Sequence, residues 1–321
     1  TVSRVLNDHP DVSDETRRRV LEVVAAQGFQ PNSNAKHLKQ QAGTSVAVIV
    51  KGTQNMLFAD LVERIQVLLR DVGRDANVYY LDEDADEVSY ALQLCRERKP
   101  LGIMFLGGDL ELFQEEFRPI TVPCLLLTNS AQTLNFENLS SITTDDGAAA
   151  RQVIRYLAER GHRHIGILGG NWACAQISYR RLQGCQQACQ ELGLPFDAGR
   201  QCEPCRYSMP EACAATRRLV ERCPELTAIF AVSDVMAVGV IRALRDMGRR
   251  VPEEVSVVGY DGITLSDYLV PRLTTVRQNT QHMAERGVDV LLRNIERPSR
   301  PFHEVVPFQL IGGESVARLD V

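Results

Sequence analysis

The sequence predicts an α/β protein whose main body has two lobes, each a parallel sheet with helices on both faces. A short all-α segment precedes that body. Three observations carry this reading. From Val46 onward, short apolar strands alternate with helical patterns, which requires parallel sheets joined by crossover helices. The alternation starts afresh after Asp145, so two similar halves share one chain. Before Val46 only helical patterns occur. A chain of 321 residues has room for two or three such units.

Taken in order, Thr1–Asn7 is helical in pattern, with Val2, Val5 and Leu6 on one face and Ser3, Arg4 and Asn7 on the other. Asp8-His9-Pro10 breaks it. Ser13 then caps a second helix, with Glu15 and Arg17 to Arg19 behind the cap and Val20, Leu21, Val23 and Val24 as its apolar stripe. Gly28 ends that helix. Two short helices with opposed apolar faces do not bury a core unaided, and no start signal precedes Thr1. A further helix upstream is therefore expected.

The segment Pro31 to Lys39, PNSNAKHLK, has too few turns before Gly43 to hold a helix by itself. Pro31 suits a turn, and Asn32 or Ser33 can cap a helical turn beginning there. It reads as coil when alone and helix when something holds it. Leu38 is its one large apolar side chain, between Lys36 and Lys39. An apolar wedge flanked by cations is what insertion into a DNA minor groove needs. A solvated linker is the other reading.

In the body, VAVIV at 46–50 is a β-branched run of the kind buried on both faces. Helix is expected at 59–72, strand at 78–81, helix at 86–98, strand at 102–106, helix near 111–117 and strand at 124–128. The second half offers helix 147–160, strand 164–169, helix 178–192, a strand near 199–203, helix 210–222, strand 228–233, helix 235–247 and strand 255–261.

Composition fits a globular protein, at 44% hydrophobic and 24% charged. The net charge of −5 does not advertise nucleic-acid binding. Residues 1–45, with six Lys/Arg and five Asp/Glu, are the least acidic part. No apolar run is long enough to span a membrane, and no secretory leader opens the sequence, so a cytoplasmic location is expected. The nine cysteines then read as reduced thiols. In Cys202-Glu-Pro-Cys205, a strand would point i and i+3 to opposite faces, which hinders chelation of one metal. Cys185 and Cys189 can share a helix face.

Ligands of open parallel sheets bind beyond the carboxyl ends of the strands. Candidates there are Phe58, Thr128, Asn129, Arg181, Tyr207, Ser233-Asp234 and Asp261. Each has a plainer alternative: Phe58 as core, Arg181 as a surface charge, Asp234 as a helix start. As a set, two aromatics, an arginine, an aspartate and small polar groups suit a small polar ligand such as a sugar, a sugar acid or a nucleoside.

The chain resembles the lactose-repressor/galactose-repressor family of bacterial transcription regulators along nearly its whole length. TVSRVLN, VSDETRRRV and GFQPNSNAKHL resemble the later part of that family's helix-turn-helix headpiece and its hinge. RYLAERGHRHIGILGG, the tetrad Arg181 to Gly184, AIFAVSDVMAVGVIRALRDMG, VPEEVSVVGYDG and PRLTTVRQ resemble successive signatures of its core. The resemblance implies a periplasmic-binding-protein-like body and a cytoplasmic repressor. It would bind a palindromic operator as a homodimer, with a small effector in the inter-lobe cleft controlling affinity. It implies DNA contacts by Thr1, Ser3, Arg4, Asn7, Ser13, Leu38 and Lys39. Arg4 is the best base-edge reader, since Arg suits guanine O6 and N7. It implies effector contacts by Phe58, Thr128, Arg181, Tyr207, Ser233, Asp261 and Gln278. Neither metal nor cofactor is implied.

Departures are also visible. Ser233 stands where the family usually has Asn, Gly262 where it has a second Asp, and Asn55-Met-Leu-Phe58 where it often has Asn-Pro-Phe-Phe. No leucine heptads follow Arg318, so a dimer is expected rather than a zipper-joined tetramer. The expected divisions are 1–45 for headpiece and hinge, 46–160 plus 276–297 for one lobe, and 161–275 plus 298–321 for the other. A small-molecule binding protein without DNA binding is the alternative function. An enzyme finds little support, because no Ser/His/Asp set has supporting spacing, and His162 and His164 flank a strand start.

Overall fold

The computed structural model describes residues 5, 13–26, 45–172 and 177–319. They fall into an N-terminal unit, Thr1–Thr44, and a body from Ser45 onward. In the N-terminal unit the described helix is Asp14–Ala26. Ser13 stands before its first turn, where Oγ accepts a long 3.5 Å bond from the Thr16 amide. Arg18 and Arg19 are exposed on that helix. Thr1, Ser3, Arg4, Asn7, Leu38 and Lys39 lie outside the described residues.

The body's strands are β1 (Ser45–Lys51), β2 (Asp75–Leu81), β3 (Gly102–Leu106), β4 (Cys124–Leu127), β5 (Leu139–Thr144), β6 (Ile165–Leu168), β7 (Cys202–Glu203), β8 (Ala228–Ala231), β9 (Ser256–Asp261), β10 (Thr274–Arg277), β11 (His303–Val306) and β12 (Gln309–Ile311). They form two six-stranded sheets, ordered β11-β5-β4-β3-β1-β2 and β12-β10-β9-β8-β6-β7. Every pairing between these strands is parallel except β10 with β12.

The unbroken apolar run of β1 is explained by its two buried faces. Val46, Val48 and Val50 join a core with helices Met56–Asp71 and Thr280–Glu296. Ala47 and Ile49 join the opposite core with helices Glu87–Glu97 and Leu110–Glu116. The second lobe has one large core around Phe230, Tyr260 and Ile167.

Pairing moves the lobe boundaries away from those expected. Helix Asp146–Ala158 packs through Ala149, Val153 and Leu157 into the second lobe's core, so the first crossing falls at Asp145 and not near 160. Strand β10 belongs to the second sheet, which places the return crossing at Gln278. Residues 298–321 are divided, because β11 pairs with β5 while β12 pairs with β10. The physical reason lies in β5, Leu-Ser-Ser-Ile-Thr-Thr. It is buried at all six positions yet mostly polar, so no apolar run announces it or its partner. Its hydroxyls are satisfied instead. Ser140 Oγ accepts from the Phe302 amide at 3.1 Å, and Ser141 Oγ accepts from the Ala131 amide at 3.0 Å.

Candidate functional site

The carboxyl ends of both sheets face one cavity of about 720 Å³, counted out to its mouth. The lining follows strand by strand. Lys51 ends β1, Glu83 follows β2, Gly107 and Gly108 follow β3, and Thr128 and Asn129 follow β4. From the second lobe come Ile177 and Arg181 after β6, Tyr207 after β7, Asp261 at the end of β9 and Gln278 after β10. Phe58 sits in the first turn of helix Met56–Asp71, whose start is set by Asn55 Oδ1 accepting from the Leu57 amide at 3.0 Å. Gly107, at φ +76°, faces the Phe58 ring; a Cβ there would meet Phe58 Cζ at 3.1 Å.

Arg181 lies within helix Ile177–Glu191 and is 4% exposed. Its Nε donates to Asp146 Oδ1 at 2.7 Å, and its Nη1 donates to the Val232 carbonyl at 2.5 Å. The guanidinium stacks 3.6 Å from the Tyr260 ring centroid, and Tyr260 Oη donates to the same Asp146 oxygen at 2.8 Å. Burial raises the Asp146 carboxyl above its usual range, with Arg181 offsetting part of that. For Arg181 burial works downward and is the largest single influence, but Asp146 together with Tyr260, Tyr207 and Asp261 outweighs it and the net shift is upward. This pair is buried and structurally fixed.

Asp261 and Gln278 form the second group. Gln278 Nε2 donates to Asp261 Oδ1 at 2.9 Å, and Thr144 Oγ1 donates to Gln278 Oε1 at 2.9 Å. This chain of bonds joins two of the three crossings between the lobes, those beside Thr144 and Gln278, to the cavity. Burial pushes the Asp261 carboxyl up to about 7, against the lowering pull of Arg181. Asp261 has φ 121° and Thr128 φ 70°, both in the left-handed region that disfavours side chains. Strain of that kind collects at ligand clamps. Burial also pushes the Tyr207 hydroxyl up to about 12. That hydroxyl lies beside Ser178 and Arg181 but is fully buried without a well-formed hydrogen bond to any described residue.

The cavity thus brings together Phe58, Thr128, Arg181, Tyr207, Asp261 and Gln278. Ser233 does not line it. Its Oγ caps helix Asp234–Asp246 by accepting from the Met236 amide at 3.2 Å, and it is 1% exposed. Asp234 opens that helix, accepting from the Ile263 amide at 2.9 Å and from Thr275 Oγ1 at 2.5 Å. Lys51, Asn55 and Glu83 line the cavity and were missed from the sequence. Lys51 was findable as the single cation ending an apolar strand.

His162 is a core residue, its ring nitrogens 3.1 Å from Thr227 Oγ1 and 3.1 Å from the Ala317 carbonyl. Burial pushes the thiols of Cys202 and Cys205 up to about 12, which leaves little thiolate for chemistry. Among the described residues no group of three His, Cys, Asp or Glu is placed to hold a metal ion, and no helix is long and apolar enough to cross a membrane.

Two lobes and a cleft at the strand ends lined by polar and apolar residues define a small-molecule-binding body. Residues 154–316 match the periplasmic binding protein-like domain, and residues 1–32 match the family of bacterial regulatory proteins, lacI family. The HTH-type transcriptional regulator MalR of Clostridium butyricum is 32% identical over 98% of this chain and 94% of its own length. Catabolite control protein A of Priestia megaterium is 30% identical over 87% of this chain and 83% of its own. Among solved structures, a complex of the transcriptional regulator CelR with cellobiose superposes with a TM-score of 0.74 at 28% identity, covering 98% of this chain and 95% of that one. The chain belongs to the lacI family of bacterial transcription regulators.

Proposed function

We propose that this regulator is a cytoplasmic repressor, not an enzyme, and that a small polar effector of the sugar, sugar acid or nucleoside class binds between its lobes. The observation that carries the reading is the Asp261–Gln278–Thr144 chain, in which a carboxyl group at a left-handed backbone position lines the cavity and is tied to two of the three inter-lobe crossings. In this reading Asp261 accepts ligand hydroxyls, Arg181 and Thr128 add polar contacts, and Phe58 and Tyr207 present ring surfaces. The cellobiose bound by CelR supports a sugar-like class. A ligand that prefers one lobe arrangement shifts the population toward it, by no more than its differential affinity.

The output is operator DNA bound by a homodimer, with Arg4, Thr1, Ser3 and Asn7 at base edges, Ser13 at a phosphate, and Leu38 and Lys39 in the minor groove. Calorimetry with Asp261→Asn tests the input: a sugar or nucleoside that binds the parent should bind the variant at least tenfold more weakly. Leu38→Ala in the full-length protein tests the output. It should weaken operator binding strongly and reduce DNA bending while effector affinity stays within a few-fold. A variant that bends the operator like the parent returns residues 31–39 to the linker reading.

A further inference from the structure

Each lobe offers the cavity one cation, and each cation is closed from behind by a carboxylate of its own. Arg181 is held by Asp146, the Val232 carbonyl and the Tyr260 ring. Lys51 Nζ donates to Glu87 Oε2 at 2.5 Å, with side-chain exposures of 11% and 1%. The other Glu87 oxygen accepts from the Asp109 amide at 2.6 Å, so the carboxylate cannot swing away. It sits under Gly108, one of the residues lining the cavity. Glu83 is likewise occupied, its Oε1 by Arg206 Nε at 2.8 Å and its Oε2 by the Tyr207 amide at 3.1 Å.

Asp261 differs from these. Oδ1 accepts from Gln278, and Oδ2 accepts from no described residue. Among the lining carboxyl groups just described, Asp261 is therefore the one with an unoccupied oxygen facing a ligand, and the charge it carries when ionised is negative. A carboxylate or phosphate entering here would meet Asp261, and the charge of each cation facing it is already balanced by a carboxylate of its own. Desolvating an anion without a partner is strongly unfavourable. Hydroxyl donors meet the opposite situation, an acceptor oxygen in a lining that also holds Phe58 and Tyr207.

We infer that Glu87, by closing Lys51 from behind, is a specificity-determining residue that reserves this cleft for an uncharged polyhydroxylated ligand and excludes sugar acids and sugar phosphates. The inference rests on the cleft being the effector site, and narrows the ligand class proposed above.

The test uses pairs in which the acid carries a carboxylate or phosphate that its neutral partner lacks: glucose with glucuronate, galactose with galacturonate, adenosine with adenosine monophosphate. Calorimetry on the intact parent protein should find that any pair that binds favours its neutral member by at least 100-fold. Glu87→Gln keeps the shape and the acceptor for the Asp109 amide but frees Lys51. In that variant the discrimination should narrow by tenfold or more, through tighter binding of the acid. The double variant Glu87→Gln/Lys51→Met should lose that gain, which a merely structural role for Glu87 would not produce. A parent that binds an acid as tightly as its neutral partner overturns the proposal, whether or not Glu87→Gln folds. So does an unchanged ratio in a folded Glu87→Gln protein. If no pair binds the parent, or if binding survives Asp261→Asn unaltered, the cleft reading itself fails and takes the proposal with it.

Discussion

The two cations of the cleft are held in different ways. Arg181 reaches from a helix of the second lobe into a fixed frame of carboxylate, carbonyl and aromatic ring, each engaging a different part of its guanidinium. Lys51 extends from the end of β1 to a single carboxylate. A planar fork suits several simultaneous partners, whereas an ammonium is a point charge on a flexible stem. The second lobe has therefore built its cation into the core. The first lobe keeps its cation at the cavity wall, where one carboxylate decides whether a ligand can use it.

Removing the charges one at a time would sharpen this contrast. Arg181→Ala leaves buried Asp146 with Tyr260 as its remaining side-chain hydrogen-bond partner among the described residues, and breaking a buried pair on one side costs about 3–5 kcal/mol. Urea unfolding should register that loss even without ligand. Lys51→Met should cost less, about 1–3 kcal/mol, the penalty for one buried acceptor left short of a donor. Burial already raises the Glu87 carboxyl, so it can take up a proton instead of standing bare. Equal losses at the two positions would erase the distinction between frame and wall.

Asp261 supplies a pH test in the same cavity. Its folded value of about 7 lies above the ordinary carboxyl value of 3.8, so between those limits the folded state binds the extra proton. Its contribution to stability is complete below about pH 4 and is lost as pH rises through about 7. The slope approaches about 1.4 kcal/mol per pH unit. Asp261→Asn should flatten this part of the ligand-free stability curve. Hydroxyls that donate to the carboxylate should reverse the trend, so effector affinity should rise across the same interval.

The sequence announced those parts of the fold where burial and apolarity coincide. Val46 to Val50 and Gly102 to Leu106 were readable because both faces of each strand meet helices. Strand β5 was not, since Ser140, Ser141, Thr143 and Thr144 are buried by virtue of hydrogen bonds that no periodicity reveals. Six of the seven candidate effector residues converge because strand ends converge. Ser233 escaped that rule because a serine before a helix spends its hydroxyl on the cap. Glu87 was invisible for a related reason. It occupies the first turn of a helix, where acids are ordinary, and only the folded chain brings it under Lys51.

The mildest test concerns the mouth of the cleft. Arg206, following β7, faces three carboxylates that follow β2 in the other lobe. It meets Asp82 at 2.5 Å, Glu83 at 2.8 Å and Asp84 at 3.4 Å. These groups are largely exposed, so water and salt screen them and their effect on global stability is small. Their position matters more than their strength, because Arg206 bridges the lobes while Glu83 also holds the Tyr207 amide beside the ligand space. Arg206→Ala should leave the unfolding midpoint nearly unchanged. It should make effector dissociation a few-fold faster in stopped-flow measurements, since changes at one interface act mostly through the off-rate. The parent should move toward the variant's rate as salt rises from 0.05 M to 0.5 M, roughly the range over which the screening length drops below the size of such a cluster. Identical off-rates at low salt would mean that the cleft is closed by the Asp261–Gln278 side alone, and that the first lobe's acidic loop only tracks its motion.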